Sequence, residues 1–517
     1  MSLDEIFAQP FGTLEAVIRA QGAVLGDKPA LIDATRTMSW RELDETMDRI
    51  AVGLQDAGVR KGDVVAVCAT SRVEYGTAFL GILRAGALVA PLAPSSTAES
   101  LISQLLDCEA KVFFLDRSVA QEMAGVIGQV KAQRVSLDGS DAGALLAEWM
   151  APAGSKPEPV EVDPEQGFNI IYSSGTTGTP KGIVQPHMMR WPQIARGNYP
   201  PDAVTLISTP LYSNTTLVSF LPALSNGGTV VMMPKFDADK FLELSQVHRV
   251  THAMLVPVQY RRLMEHPRFD DYDLSSFQLK YSTSAPFSAA LKAEVLRRWP
   301  GGLIEYYGMT EGGGSCMLLA HEHPDKLHTV GPPIPGHDMR LIDEDGREVT
   351  QGEIGEVVGR SSAMMVGYHN KPAKTSEAEW WSPDGLRFIR TGDVGRFDED
   401  GFLTLIDRKK DMIISGGFNI YPSDLEAEIV KHSCVLEVAV VGIPSDRWGE
   451  TPVAFVVIRP GEALTAAALK AWVNDRLGKT QRLADLRILD TLPRSHIGKV
   501  LKRELRDAYY GASEAAV

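Results

Sequence analysis

The sequence predicts an α/β protein: a large N-terminal body of α/β sheet subdomains plus a β-rich subdomain, followed by a small α+β C-terminal domain. Three observations predict it. Apolar runs of strand length alternate with segments of helical periodicity from Asp63 onward, the pattern of a doubly wound parallel sheet. Between about residues 340 and 407 the pattern shortens to strands separated by turn signals, among them Asp345-Gly346 and Asp400-Gly401. The length of 517 residues exceeds what one hydrophobic core organises.

Taken in order, the N-terminus carries Asp4 and Glu5 where an export signal would want positive charge ahead of an apolar run, so export is not expected. Ser39 followed by Glu42 forms a capping-box pattern. Leu43, Met47, Ile50, Ala51 and Leu54 then recur at helical spacing until Gly58 supplies a stop. A strand over 63–69, a helix over 73–85, a strand over 88–92, a helix over 97–106 and a strand over 111–115 come next. The most apolar stretch, 78–91, is broken by Arg84 and is shorter than the roughly 20 residues that span a bilayer, so no stable membrane insertion is expected. Residues 151–164, bearing Pro and Gly, read as a linker, and 168–172 as the first strand of a second α/β unit. The body then has α/β parts at about 1–160 and 165–339 and a β-rich part at 340–408. Beyond it Ser423 with Glu426 reads as another helix cap, 435–441 and 452–458 as strands, and Leu469, Trp472, Val473 and Leu477 as one helix face.

Composition narrows the function classes. Hydrophobic residues at 44% and charged residues at 23% exclude a disordered, collagen-like or coiled-coil chain. With 52 Lys and Arg against 66 Asp and Glu, the net charge of −14 lacks the basic footprint of a nucleic-acid binder. Any anionic substrate must therefore meet local basic residues. The four cysteines, Cys68, Cys108, Cys316 and Cys434, lie far apart with no CxxC, which suggests neither a disulfide framework nor structural zinc and fits a reducing cytoplasm.

The most informative segment runs Tyr172-Ser173-Ser174-Gly175-Thr176-Thr177-Gly178-Thr179-Pro180-Lys181-Gly182 between two expected strands. Such a loop presents backbone N–H groups, hydroxyls and one ammonium to a polyphosphate. It is not a Walker A loop, because Pro180 precedes Lys181 and Gly182 follows it. A flexible hairpin of turn formers is the bland alternative. Elsewhere, His321-Glu322-His323 lacks the spacing of a zinc protease. Without a GxGxxG opening a helix, a nicotinamide cofactor is disfavoured, and Cys316 reads as a buried structural thiol.

The loop is similar to the phosphate-binding signature of the adenylate-forming (AMP-binding) superfamily, which includes acyl- and aryl-CoA synthetases, carrier-protein adenylation domains and luciferases. The resemblance continues in order through Tyr306-Tyr307-Gly308-Met309-Thr310-Glu311, Thr391-Gly392-Asp393, Asp407-Arg408-Lys409-Lys410-Asp411 and Ile497-Gly498-Lys499. Alone, Glu311 is a surface-loop acid, Tyr307 a packing residue, Asp393 part of a turn, 408–411 a solvated charge run and Lys499 surface decoration. As an ordered series they acquire the family's roles. The resemblance implies ATP contacts from Ser173, Ser174, Gly175, Thr176, Thr177, Gly178, Thr179 and Lys181. It also implies an adenine site at Tyr307 with Ser284, Ala285 and Pro286 beside it, and Asp393 and Arg408 on ribose or phosphate. Thr310 would donate to the α-phosphate, Glu311 would ligate Mg²⁺, and Lys499 would act in adenylation.

The same resemblance implies a hinge at Lys410, dividing 1–408 from a mobile domain at 409–517, and coenzyme A near Gly416, Gly417 and Trp448. It places the acid pocket along Tyr212, Ser213, Asn214 and Thr215, residues 282–285, and 308–314 with Gly308, Met309 and Gly313. These segments contain no basic side chain, which disfavours small dicarboxylates, and Ser213 stands where relatives often carry His. The expected activity is an ATP-dependent acid:CoA ligase that makes an acyl-AMP from an aromatic, alicyclic or medium-chain acid and passes it to CoA. A stand-alone adenylation enzyme loading a carrier protein and a non-catalytic nucleotide-binding module are the alternatives. The expected partners are the acid, ATP and CoA, with no nucleic acid; oligomeric state stays open, a homodimer being one option.

Overall fold

The protein is described from a computed structural model covering residues 1–173, 181–195, 199–415, 418–445, 448–462, 464–478, 481–495 and 499–514. It divides into two units. The first comprises 1–328, 333–338 and 359–389, and the second 329–332, 339–358 and 390–517.

The first unit is built on two eight-stranded sheets. One runs in the order Gly367–Tyr368, Lys181–Pro186, Gly167–Ser173, Leu88–Pro91, Val64–Cys68, Val112–Leu115, Gln133–Ser136, Ala144–Leu145. Its five pairings from Gly167–Ser173 to Ala144–Leu145 are parallel. Every residue of Val64–Cys68 is buried, as a central parallel strand covered on both faces requires. The other sheet is parallel through Gly302–Tyr307, Leu279–Ser282, His252–Leu255, Val204–Ile207, Thr229–Met232 and Pro29–Ile32, with antiparallel edges at Cys316–Leu319 and Thr37–Ser39.

The sheets exchange strands relative to chain order. Gly167–Ser173 was expected to open a second α/β unit after the 151–164 segment, but it pairs with Leu88–Pro91 in the first sheet, while the N-terminal Pro29–Ile32 joins the second. Pairing partners are chosen by which edge is available in space, and local sequence does not carry that choice.

The helix Trp40–Asp56 has the expected capping box: Glu42 N donates to Ser39 Oγ at 3.2 Å and Ser39 N to Glu42 Oε2 at 2.7 Å. It packs on Val73–Arg84 at a glycine. A Cβ on Gly81 would lie 2.8 Å from Ile50 Cβ, so the close approach of the two helices depends on its absence.

In the second unit, Val435–Ser445 pairs antiparallel with Gly449–Ile458, which pairs parallel with Asp485–Ile488. Leu425 and Ile429 of Pro422–Ile429 and Leu469 and Val473 of Ala466–Asn474 bury one face of this sheet, and Leu505 of Lys502–Glu514 packs on the other. The expected α+β architecture is present.

The expected second cap is not. Pro422 takes the first helical position, so the cap falls to Tyr421, which makes no side-chain cap bond. Ser423 lies inside the helix. Its N–H donates to Asp407 Oδ2 at 2.9 Å and its Oγ to Ile406 O at 2.5 Å, while Glu426 Oε1 accepts from Val440 N at 2.8 Å and Lys502 Nζ at 2.9 Å. Among the described residues no helix is long and apolar enough to cross a membrane.

Candidate active site

In the first unit the chemistry gathers at the root of the hydroxyl-rich loop. Gly167–Ser173 and Lys181–Pro186 form an antiparallel hairpin with Ser173 opposite Lys181. Ser174, Gly175, Thr176, Thr177, Gly178 and Thr179 lie outside the described residues. The hairpin base is fixed on one side by Tyr172, whose hydroxyl donates to Asp107 Oδ2 at 2.7 Å. On the other side Gly367–Tyr368 adds to Lys181–Pro186 as a short antiparallel strand.

Tyr368 joins two predicted residues. Its hydroxyl donates to Glu311 Oε1 at 2.9 Å, and Lys181 Nζ stands 5.2 Å from its ring centroid. Burial, followed by the Glu311 charge, pushes the Tyr368 pKa well up, so it remains a donor. Glu311 Oε2 has no protein partner among the described residues. One carboxylate with an open hard oxygen suits Mg²⁺, which usually takes one or two protein carboxylates and completes its shell with water and phosphate oxygens. The residues present therefore fit that ion.

Thr310 is tied to the same hairpin: Gln185 Nε2 donates to its carbonyl at 2.6 Å, while the Thr310 hydroxyl has no protein partner among the described residues. The following glycines allow a tight passage of main chain. Gly312 and Gly313 have φ of +75° and +92°, and a Cβ on Gly312 would sit 2.1 Å from Ala363 O. Met309 packs against Ile183, Met365 and Ile389.

Ser284 follows the C-terminal end of the parallel strand Leu279–Ser282, where open α/β sheets place ligands, and Tyr307 ends the neighbouring strand. Ser284 is a non-glycine residue at φ +80°, a strained backbone held by its setting. Its hydroxyl meets Thr215 Oγ1 at 2.5 Å. Ala285 is partly buried and Pro286 exposed. Thr215 and Asn214 open the helix Asn214–Ser225, for which Ser213 is the N-cap residue without a side-chain cap bond, and Tyr212 precedes it half-buried. Gly308 lies close to Ser315, whose Oγ would be 2.8 Å from a Cβ there.

The second unit collects the remaining residues. Asp393 and Arg408 are cross-strand partners, with Arg408 Nε 3.0 Å from Asp393 Oδ1. Thr391 Oγ1 accepts from Asp393 N at 3.0 Å and donates to Val357 O at 2.8 Å, which fixes the Thr391-Gly392-Asp393 turn. Thr391, Gly392, Arg408, Lys409 and Lys410 line a cleft of about 320 Å³. Lys409 and Arg390 both pair with Glu356, at 2.9 and 2.8 Å.

Lys499 belongs to this cationic group. Burial, then the charges of Arg408 and Lys410, push its pKa down to about 8, against a weaker pull from Asp393 and Asp411. Lys410 is lowered mainly by burial. Trp448 is exposed beside Gly449, which pairs with Ser415; Gly416 and Gly417 lie outside the described residues.

Sequence reasoning missed Asn169, Gln185, Arg190, Tyr368 and Glu356. For Arg190 a signal existed, since an arginine on the apolar face of a helical stretch breaks its pattern. For Tyr368 none did, because strand pairing alone brings it to Glu311.

The family model "AMP-binding enzyme" matches residues 18–369 and "AMP-binding enzyme C-terminal domain" matches 424–499. The chain is 34% identical over 510 residues to 4-coumarate–CoA ligase-like 9 of Oryza sativa subsp. japonica, covering 93% of this chain and 90% of that one. It is 33% identical to a feruloyl-CoA synthase of Amycolatopsis sp, covering 91% and 93%. Among solved structures, ATP-bound MatB from Rhodopseudomonas palustris superposes with a TM-score of 0.86 at 30% identity, over 96% of this chain and 99% of that one.

Proposed function

The chain belongs to the AMP-binding enzyme family and is an AMP-forming acid–thiol ligase, and within that class we propose that it joins an aromatic, alicyclic or medium-chain carboxylic acid to coenzyme A. The observation that carries the reading is the meeting of Lys181, Tyr368, Glu311 and Thr310 at the root of the hydroxyl-rich loop.

A carboxylate is a poor acyl donor because its leaving group would be oxide or hydroxide. In the first half-reaction a carboxylate oxygen attacks the α-phosphorus of ATP, the bond to the bridging oxygen breaks, and pyrophosphate leaves. The loop 173–181 and Lys499 supply donors and positive charge where negative charge builds up. Thr310 offers its hydroxyl to the α-phosphate. Glu311 would hold Mg²⁺, an ion that when bound offsets phosphate charge. Tyr307 offers adenine a flat face, and Asp393 and Arg408 offer ribose or phosphate an acceptor and a donor fork.

In the second half-reaction the CoA sulfur attacks the acyl carbon, AMP leaves and the thiol proton is lost. Lys410 as a hinge for 409–517, and Gly416, Gly417 and Trp448 beside the thiol path, belong to the same proposal. The names of the relatives, which refer to 4-coumarate and ferulate, put aryl acids at the head of the list. The test is a panel of aryl, alicyclic and C6–C12 acids read by pyrophosphate release and by thioester mass, with and without CoA. Release with an acid of these classes and a CoA thioester as product are expected. A thioester found only on an added carrier protein would overturn the CoA assignment.

A further inference from the structure

Arg190 lies in the helix His187–Ala195 with none of its surface exposed. Burial pushes its pKa down, to about 9, and no carboxylate pairs with it among the described residues. Its acceptors are side-chain amides. Nη2 donates to Asn214 Oδ1 at 2.7 Å, to Asn169 Oδ1 at 3.2 Å and, closer still, to Gln185 Oε1; Nη1 reaches Gln193 Oε1 at 3.4 Å. Stability gives little reason for a buried cation among neutral groups, because well-packed apolar residues often serve as well or better.

A guanidinium has donors and no acceptor. Each amide that meets it must turn its oxygen inward and its NH₂ outward, which removes the usual ambiguity of amide orientation. Asn169 Nδ2 donates to Gln185 Oε1 at 2.9 Å, and Gln185 Nε2 is left to donate to Thr310 O at 2.6 Å. Asn214 Oδ1 faces Arg190, so its Nδ2 points away, with no protein acceptor among the described residues. Asn214 is the first residue of its helix, adjacent to Thr215, whose hydroxyl touches Ser284 at the strand end. An outward-facing donor at that place suits an anion.

We propose that Arg190 is a positioning residue for acid activation: it turns Asn214 so that Nδ2 donates to the incoming carboxylate, and through Gln185 it holds the main chain of Thr310. The proposal rests on the acid-activating reading above, and it adds Asn214 as the donor that selects a carboxylate.

The test reads pyrophosphate release alone, without CoA, at saturating ATP and with the best acid of the panel. Asn214→Asp keeps the size and gains an ion pair with Arg190, but presents oxygen where the amide donated. Its KM for the acid should rise roughly 20-fold or more, with KM for ATP within about twofold. Arg190→Met should lower kcat/KM for the acid roughly 10- to 50-fold, and Arg190→Lys should recover little, because a point charge cannot orient several amides at once. An arginine that only supported the fold would lower the melting temperature and leave the acid KM unchanged. An acid KM within twofold of wild type in Asn214→Asp overturns the proposal, and that variant decides the matter even if Arg190→Met does not fold. A wild-type enzyme that releases pyrophosphate but never forms a CoA thioester would refute the CoA assignment and leave this result standing. One that activates no acid would overturn the underlying reading.

Discussion

Each unit holds a cation withdrawn from water, Arg190 fully and Lys499 in part, and the two are kept in opposite ways. Arg190, in the first unit, is ringed by amide oxygens, and burial alone lowers its pKa. Lys499, in the second, is lowered by burial and then by two neighbouring cations, Arg408 and Lys410. An amide ring meets the guanidinium on several sides and fixes geometry, which suits a group that orients others. Like-charge crowding leaves a cation short of counter-charge, which suits a group that waits for an anion. The lesson is that a positive charge withdrawn from water signals two different tasks, and its partners tell which.

Lys499→Ala breaks the comparison hardest. If the crowded ammonium meets the charge that develops during adenylation, its removal should slow acyl-AMP formation by about 10²- to 10³-fold. Thioester formation from supplied acyl-AMP should stay within roughly threefold of wild type. Equal losses in both half-reactions, in a variant that melts normally, would reject the role.

The pH profile sharpens it next. Lys499 is useful when protonated, and its folded pKa of about 8 lies below the ordinary lysine value, so the charge is present at neutral pH and lost as pH rises through about 8. The value of kcat/KM for ATP, which reports the free enzyme, should therefore fall on an alkaline limb starting near there. Lys410→Met removes one repelling neighbour and should move that limb to higher pH by roughly half a unit. A limb that stays put or moves to lower pH would mean that Lys410 does not act on Lys499.

A smaller effect is expected at Tyr368, which holds Glu311 Oε1. Tyr368→Phe keeps the ring beneath Lys181 and deletes the hydroxyl. The Mg²⁺ concentration needed for half-maximal pyrophosphate release should rise by roughly tenfold, and the same shift should appear in binding of Mg·ATP measured without acid. An unchanged Mg²⁺ requirement would separate Glu311 from the metal.

Local signals in the sequence announced elements well and partners poorly. The α/β alternation, the two strands flanking residues 174–180 and the turns at Asp345-Gly346 and Asp400-Gly401 follow from short-range chemistry, and all are present. Gly167–Ser173 shows the limit, since its place beside Leu88–Pro91 depends on which sheet edge is open. The site divides in the same way. Thr310, Glu311, Asp393, Arg408 and Lys499 stand in compact motifs that can be read in a line. Tyr368 reaches Glu311 from 57 residues away, and Arg190 reaches Asn214 from 24 away, through folding alone. The amides around Arg190 look like ordinary polar residues until the guanidinium orients them.

The finest contrast lies between two patterns that are identical in sequence, Ser39 with Glu42 and Ser423 with Glu426. In the first unit the pair closes a true capping box, so Ser39→Ala should cost about 1 kcal/mol, with Glu42→Ala costing less because its partner N–H is near solvent. In the second unit Pro422 displaces the cap, and Glu426 instead accepts from the N–H of Val440, a fully buried strand residue. Glu426→Ala leaves that N–H without its acceptor and should cost about 1–3 kcal/mol, more than Ser423→Ala, which reverses the order seen at Ser39 and Glu42. Hydrogen exchange separates the two cases. The Val440 amide should lose protection in Glu426→Ala and keep it in Ser423→Ala, whereas a true cap would show the loss at the first turn of the helix Pro422–Ile429. Protection at Val440 that survives Glu426→Ala would mean that the glutamate belongs to the helix after all.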